Sequence, residues 1–193
     1  MKLENKIAIG TVSVAALTAA AVGANAQDWT GPYVGAFAGL PSGAYPSDDD
    51  DDYGFETGFA AGGFVGFNLE SNSGMIYGLE IAMHGTNLVD DDNDYALRAL
   101  TDVKFRIGKP IDAFGSSMLL YGFGGLSIGD ATTDDMDESY AALGPNIGIG
   151  AEYMVGSKVS VGLEHTQRAM FGHYTENGAV WNGTTSFRVA VHF

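Results

Sequence analysis

The chain has no cysteine, few prolines and little positive charge: nine lysines and arginines stand against 24 aspartates and glutamates, for a formal net charge of −15. Without cysteine the fold cannot rest on disulfides. With so few cations the net field excludes nucleic acid, whose binding depends on neutralising phosphates. No stretch after Val22 approaches the roughly 18 unbroken apolar residues of a transmembrane helix. A membrane-spanning form would therefore have to be a closed barrel, because hydrocarbon tolerates neither unpaired backbone nor an open sheet edge. Catalytic signatures are lacking as well: no nucleophile elbow, no H-E-x-x-H and no P-loop is recognised. Glycine, by contrast, is abundant at 28 residues, without a collagen-type repeat.

The first residues read as a secretory signal peptide, residues 1–26. Lys2 and Lys6 precede the apolar run Ile7–Val22, and Ala24-Asn25-Ala26 fits the small-residue cleavage pattern. An uncleaved anchor is the alternative, but the run is short for a span of about 20 residues. The mature chain is expected to begin at Gln27 and to form one domain, residues 27–193.

The last seven residues, Phe187-Arg188-Val189-Ala190-Val191-His192-Phe193, alternate strictly. Phe187, Val189, Val191 and Phe193 share one face, and Arg188, Ala190 and His192 the other. Similar alternation predicts eight strands, at roughly Tyr33–Leu40, Thr57–Leu69, Met75–Gly85, Ala96–Gly108, Ser117–Gly129, Ala141–Tyr153, Val159–Arg168 and Thr184–Phe193. Long acidic or polar connections alternate with the short Glu70–Gly74, Lys109–Ser116 and Met154–Lys158. That rhythm is the one an up-and-down outer-membrane barrel shows.

One face of these strands is almost purely apolar, for example Phe59, Val65, Phe67 and Leu69, then Leu79, Ile81 and Met83, then Val103, Phe105 and Ile107. The other carries Glu80, Arg98, Asp102, Lys104, Arg106, Glu152, Glu164, Arg168 and Arg188, acids and bases interleaved so that they can satisfy one another. In a soluble lipocalin-like barrel the greasy face would be the core. The terminal aromatic and the loop rhythm favour the membrane alternative, with lipid outside and charges in the lumen. Glycines such as Gly35, Gly62, Gly66, Gly78, Gly125, Gly148, Gly150 and Gly162 fall on the charged face. An eight-stranded barrel has room only for its own side chains, and glycine there makes space for Phe37, Phe64, Tyr121 and Arg106.

Trp29-Thr30-Gly31-Pro32-Tyr33-Val34-Gly35 resembles the W-x-G-x-Y-V-G opening of the small OmpA-like outer-membrane barrels common in alphaproteobacteria, a porin-family and surface-antigen group. Gly63–Asn68 resembles their G-x-x-G-Y-N second strand, Tyr77–Glu80 their G-x-E third strand, and Val103–Gly108 their V-R-G-R-L-G. Leu120-Tyr121 with Gly124-Gly125, Gly148–Tyr153 and the closing Arg188–Phe193 also match. Lys104 stands where the first arginine is usual, Phe105 replaces a small residue, and His165 sits where an aromatic is common. The resemblance implies an all-β, eight-stranded antiparallel up-and-down transmembrane β-barrel in the outer membrane of a Gram-negative bacterium. It also implies that the terminal Phe193 is a signal for the barrel-assembly machinery. It implies no single activity, because such proteins serve structural, adhesive and surface-antigen roles.

The pairs Glu80/Arg106 and Glu152/Arg188 could pass for acid–base machinery, but structural pairing is the plainer reading. His84, His165, His173 and His192 are scattered and read as isolated strand or loop residues rather than metal ligands. The aspartates Asp48, Asp49, Asp50, Asp51 and Asp52, with Asp90, Asp91, Asp92 and Asp94, offer oxygen ligands of the kind calcium prefers but lack the EF-hand glycine and glutamate. Solvated, self-repelling loops are one reading; weak divalent-ion binding beside lipopolysaccharide is the other. The expectation is thus a non-enzymatic outer-membrane barrel with long acidic extracellular loops, a filled lumen and no resident cofactor. Its expected partners are lipid, lipopolysaccharide and a host or cell-surface ligand. A narrow porin-like channel is the alternative function.

Overall fold

The structure, a computed structural model, describes residues 29–45, 53–54, 58–89, 95–133, 140–171 and 179–193. The signal-peptide reading and the first two aspartate clusters fall outside these residues. So do Asp134–Glu138, a further acidic run of the sequence, and His173. The strands are β1 (Gly31–Tyr45), β2 (Tyr53–Gly54), β3 (Ala60–Glu70), β4 (Ile76–Val89), β5 (Tyr95–Ala113), β6 (Ser116–Thr133), β7 (Tyr140–Met154), β8 (Val159–Met170) and β9 (Val180–His192). Each pairs antiparallel with the next, β1 skipping β2 to pair with β3, and β9 returns to β1 from Tyr33↔His192 through Ala44↔Trp181. The result is a closed eight-stranded barrel, with β2 a two-residue rung beside the far end of β1.

Closure depends on a close approach at Gly31. Its φ is +107°, and a Cβ there would stand 2.6 Å from the carbonyl oxygen of Phe193. Only glycine accepts both the conformation and the contact. The Phe193 amide then donates to the Pro32 carbonyl at 3.0 Å.

Most strand ends differ from the sequence reading by a few residues: β1 runs on to Tyr45, β4 to Val89 and β6 to Thr133, where Leu40, Gly85 and Gly129 were expected, and two further differences have a plain cause. Lys109–Ser116 is not a connection: β5 runs to Ala113, and only Phe114 and Gly115, both at positive φ, turn the chain. Pro110 lies in this stretch, but β4 pairs with β5 only as far as Gly108, so Pro110 has β6 alone as a neighbour and its missing N–H costs no ladder bond on the open side. At the other end β9 starts at Val180, four residues before the expected Thr184, because Val180–Gly183 pair with β8 and Trp181–Gly183 also pair with the extension of β1.

The alternation then fixes the two surfaces. Val65, Leu79, Phe105, Ile147, Ile149, Leu163 and Phe187 are exposed on the outside, while Glu80, Lys104, Arg106, Glu152, Glu164 and Arg188 are at most 4% exposed inside. The ends of the barrel also differ. Trp29, the first described residue, and Phe193 lie at the end with the tight turns at 71–75, 114–115 and 155–158 (the turn end). The strand ends at Tyr45, Val89, Tyr95, Thr133, Tyr140, Met170 and Val180 lie at the opposite end (the loop end).

The filled lumen as candidate functional site

Beside the turn end the lumen is stoppered. Trp29 enters just before β1 and packs with Ile76, Leu119, Tyr121, Phe123 and Met154. Its indole N–H donates to Ser117 Oγ at 2.9 Å, and Asn68 Nδ2 donates to its carbonyl at 3.0 Å. The His192 ring meets Trp29 edge-on at 5.3 Å and stacks on Tyr33 at 5.5 Å.

Next comes an ionic layer. Glu80 accepts from Arg188 Nη2 at 2.6 Å, Arg106 Nη1 at 3.0 Å, Tyr33 Oη at 3.0 Å and Lys104 Nζ at 3.4 Å. Glu164 accepts from Lys104 at 2.6 Å, Tyr121 Oη at 2.8 Å and Arg188. Glu152 accepts from Arg106 Nη2 at 2.6 Å and Ser160 Oγ at 3.1 Å, with Arg188 at 3.7 Å. Three carboxylates thus face three cations, and the layer is formally neutral. That balance matters, because each buried ion carries a desolvation cost of several kcal/mol that only its partners offset. The Arg106 and Arg188 guanidinium groups also lie 3.9 Å from the centroids of Tyr121 and Phe64.

Nearer the loop end stands a second neutral unit. Arg168 grips Asp102 through both Nε and Nη2 and donates to Thr184 at 3.0 Å and Asn182 at 3.3 Å. Ser127 Oγ donates to Asp102 at 2.6 Å and accepts from Asn146 at 2.9 Å. Eight of the nine charged residues inferred for the lumen are therefore brought together in two layers. Arg98 is the ninth: it lies where the β5–β6 register shifts between Leu97 and Ala99, and its side chain is outside the described residues.

Glycine makes room for this filling. Tyr33 pairs across strands with Gly66, Phe64 with Gly35, Tyr121 with Gly150 and Phe123 with Gly148. In each pair a Cβ on the glycine would sit 2.2–2.3 Å from a ring atom. Each ring therefore lies flat over its neighbour's bare backbone, and two such pairs stand on either side of the ionic layer.

Several lumen residues escaped the sequence reading. Asn68, Ser127, Asn146, Ser160, Asn182 and Thr184 are all buried. They share the parity of the charged residues, and that parity was the available signal. The letters G-x-S-x-G also occur, at Gly125-Leu126-Ser127-Ile128-Gly129, inside continuous β6. A nucleophile elbow needs a strand-to-helix turn with its serine exposed; Ser127 is fully buried and donates to Asp102. Among the described residues no group of three or more His, Cys, Asp or Glu is placed to hold a metal ion.

Residues 12–193 match the outer membrane protein beta-barrel domain family. The chain belongs to that family. It is 31% identical over 148 residues to a 22 kDa outer membrane protein of Rhizobium leguminosarum bv. viciae, an alignment covering 72% of this chain and 64% of that relative, so the chain spans somewhat less than two thirds of the relative's length. Among solved structures it resembles Neisserial surface protein A, with a TM-score of 0.58 at 17% identity over 85% of this chain and 98% of the other. It also resembles Ail, the attachment invasion locus protein of Yersinia pestis, with a TM-score of 0.50 at 13% identity over 85% and 99%. At these identities the structural likeness speaks for the fold alone. As an outer-membrane barrel of this family, the protein turns its apolar outer wall to lipid.

Proposed function

We propose that this outer-membrane barrel is a closed structural and surface-interacting protein that acts through its loop end and not through its bore. The observation that carries the reading is the neutral, interlocked filling of the lumen. Glu80, Glu152 and Glu164 are each held by at least two groups from other strands, so a solute path would require several buried ion pairs to part together. In this reading the turn end, with Trp29 and the terminal Phe193, faces the periplasm and Phe193 is the assembly signal. The acidic connections face outward, where they meet lipopolysaccharide, divalent ions and other cell surfaces. It assigns no catalytic role to the lumen residues, whose carboxylates are already engaged by cations. The assignment of calcium to the aspartate clusters is checked by calorimetric titration of the refolded protein at millimolar calcium; absence of heat removes it.

A deletion strain tests the proposal as a whole. Outer-membrane integrity, read as detergent sensitivity, is expected to fall, while the lipid A mass spectrum and the uptake rate of small solutes stay unchanged. An altered lipid A spectrum would make the protein an enzyme, and slowed solute uptake would make it a channel.

A further inference from the structure

The outer wall carries a polar island where β8, β9 and β1 meet. His165 and Gln167 of β8, Thr185 of β9 and Ser42 of β1 point outward, away from the lumen, as the alternation with buried Glu164, Thr166, Arg168 and Thr184 requires. They converge over Gly183: a Cβ there would meet Gln167 Oε1 at 2.9 Å, Ser42 Oγ at 3.4 Å and His165 Cε1 at 3.5 Å. His165 Nδ1 and Thr185 Oγ1 are 2.9 Å apart. The exposed neighbours on this wall are apolar. Ile147 and Ile149 pair with Gln167 and His165 on one flank, and Leu40 pairs with Thr185 on the other. Leu163 and Phe187 lie toward the turn end, and Phe171 and Trp181 toward the loop end.

The island lies within the hydrocarbon belt. Six residues separate His165 from both Val159 and Phe171, which is about 20 Å along a strand each way, or about 14 Å of height at a tilt near 45°. Polar side chains at that depth are costly unless they find partners, and acyl chains offer none.

We propose that this wall of β8, β9 and β1 is a homodimer interface, with a second copy of this chain as its occupant. Histidine, glutamine, threonine and serine side chains each both donate and accept hydrogen bonds. A two-fold axis near Gly183 therefore sets the island against its own image with every group complementary, as an isologous contact demands. Gly183, Ser42 and the neighbouring Ala36 and Ala38 keep the wall low, so that the two backbones can approach closely.

The chain's lack of cysteine makes the test direct. Full-length protein carrying Ser42→Cys is refolded into phosphatidylcholine vesicles and oxidised, beside Ile81→Cys on another wall. The expected result is a cross-linked dimer for Ser42→Cys and monomer for Ile81→Cys. Energy transfer between copies labelled at Ser73→Cys, in a turn, reads association without touching the island. Adding His165→Leu, Gln167→Leu and Thr185→Val, which suit lipid and preserve the barrel, is expected to weaken that association at least tenfold. Three results would overturn the proposal: no association at any protein-to-lipid ratio, association unchanged in the apolar triple variant, or a cross-link that added lipopolysaccharide abolishes. The last would assign the island to lipid sugars.

Discussion

Arg188 and Glu80 lie 108 residues apart in the chain and meet inside the barrel, Nη2 to Oε2 at 2.6 Å. Their strands, β9 and β4, are not neighbours. The contact crosses the lumen and ties opposite walls together. Glu80 is also the acid on which Lys104 and Arg106 depend. Glu80→Gln leaves three cations facing two carboxylates in a dry layer, and is expected to destabilise the barrel by about 3–5 kcal/mol, the cost of breaking a buried pair from one side. Urea unfolding in lipid vesicles measures it; a loss below about 1 kcal/mol would mean that water reaches the layer and screens it.

The ring-over-glycine pairs predict a contrast between two otherwise similar substitutions. Gly66→Ala drives a methyl into the Tyr33 ring, 2.3 Å from Cζ, whereas a Cβ at Gly122, on the outer wall, meets nothing nearer than 3.7 Å. The first is expected to cost about 1–3 kcal/mol by overpacking and to perturb the tyrosine signal in near-ultraviolet circular dichroism. The second is expected to stay within about 0.5 kcal/mol.

Adjacent positions on β9 report the two surfaces. Val189 is 40% exposed and faces lipid, while Ala190 is 2% exposed and faces the lumen. Val189→Arg is expected to cost about 2–4 kcal/mol, the range for a cation near the bilayer midplane, and Ala190→Ser to be milder. Measured folding free energies in the reverse order would mean the faces are exchanged.

Trp29 is the stopper of the turn end, 2% exposed and bonded to Ser117. Trp29→Ala is expected to lose about 3–5 kcal/mol, as large-to-small changes of buried aromatics do, and to lower the temperature at which the protein shifts from its compact to its unfolded position on a detergent gel.

The fold was legible because a barrel with two unlike surfaces writes its alternation into every strand. Phe105, Arg106 and Ile107 alone say which side is which. The membership of the lumen followed from the same parity, but only part of the partnerships did. The expected pairs Glu80/Arg106 and Glu152/Arg188 meet at 3.0 and 3.7 Å, yet Arg106 holds Glu152 more closely, at 2.6 Å, and Arg188 reaches Glu80 at 2.6 Å. Which acid meets which base across a closed tube depends on strand stagger, and that is a property of the whole barrel rather than of any strand. The strand content of Lys109–Ala113 was hidden for a related reason, since the place of Pro110 in a strand depends on where β4 stops. His165 stood out only as a departure from an expected aromatic. Its meaning required Gln167, Thr185 and Ser42, which come from three strands and converge only once the ends of the chain are joined.

The central claim is that the bore is closed by its own neutralised charges, and planar-bilayer conductance of the refolded chain tests it most directly. The account predicts bilayers that stay silent, without steady openings, after verified insertion. Stable openings of large conductance that scale with the amount of inserted protein would contradict it.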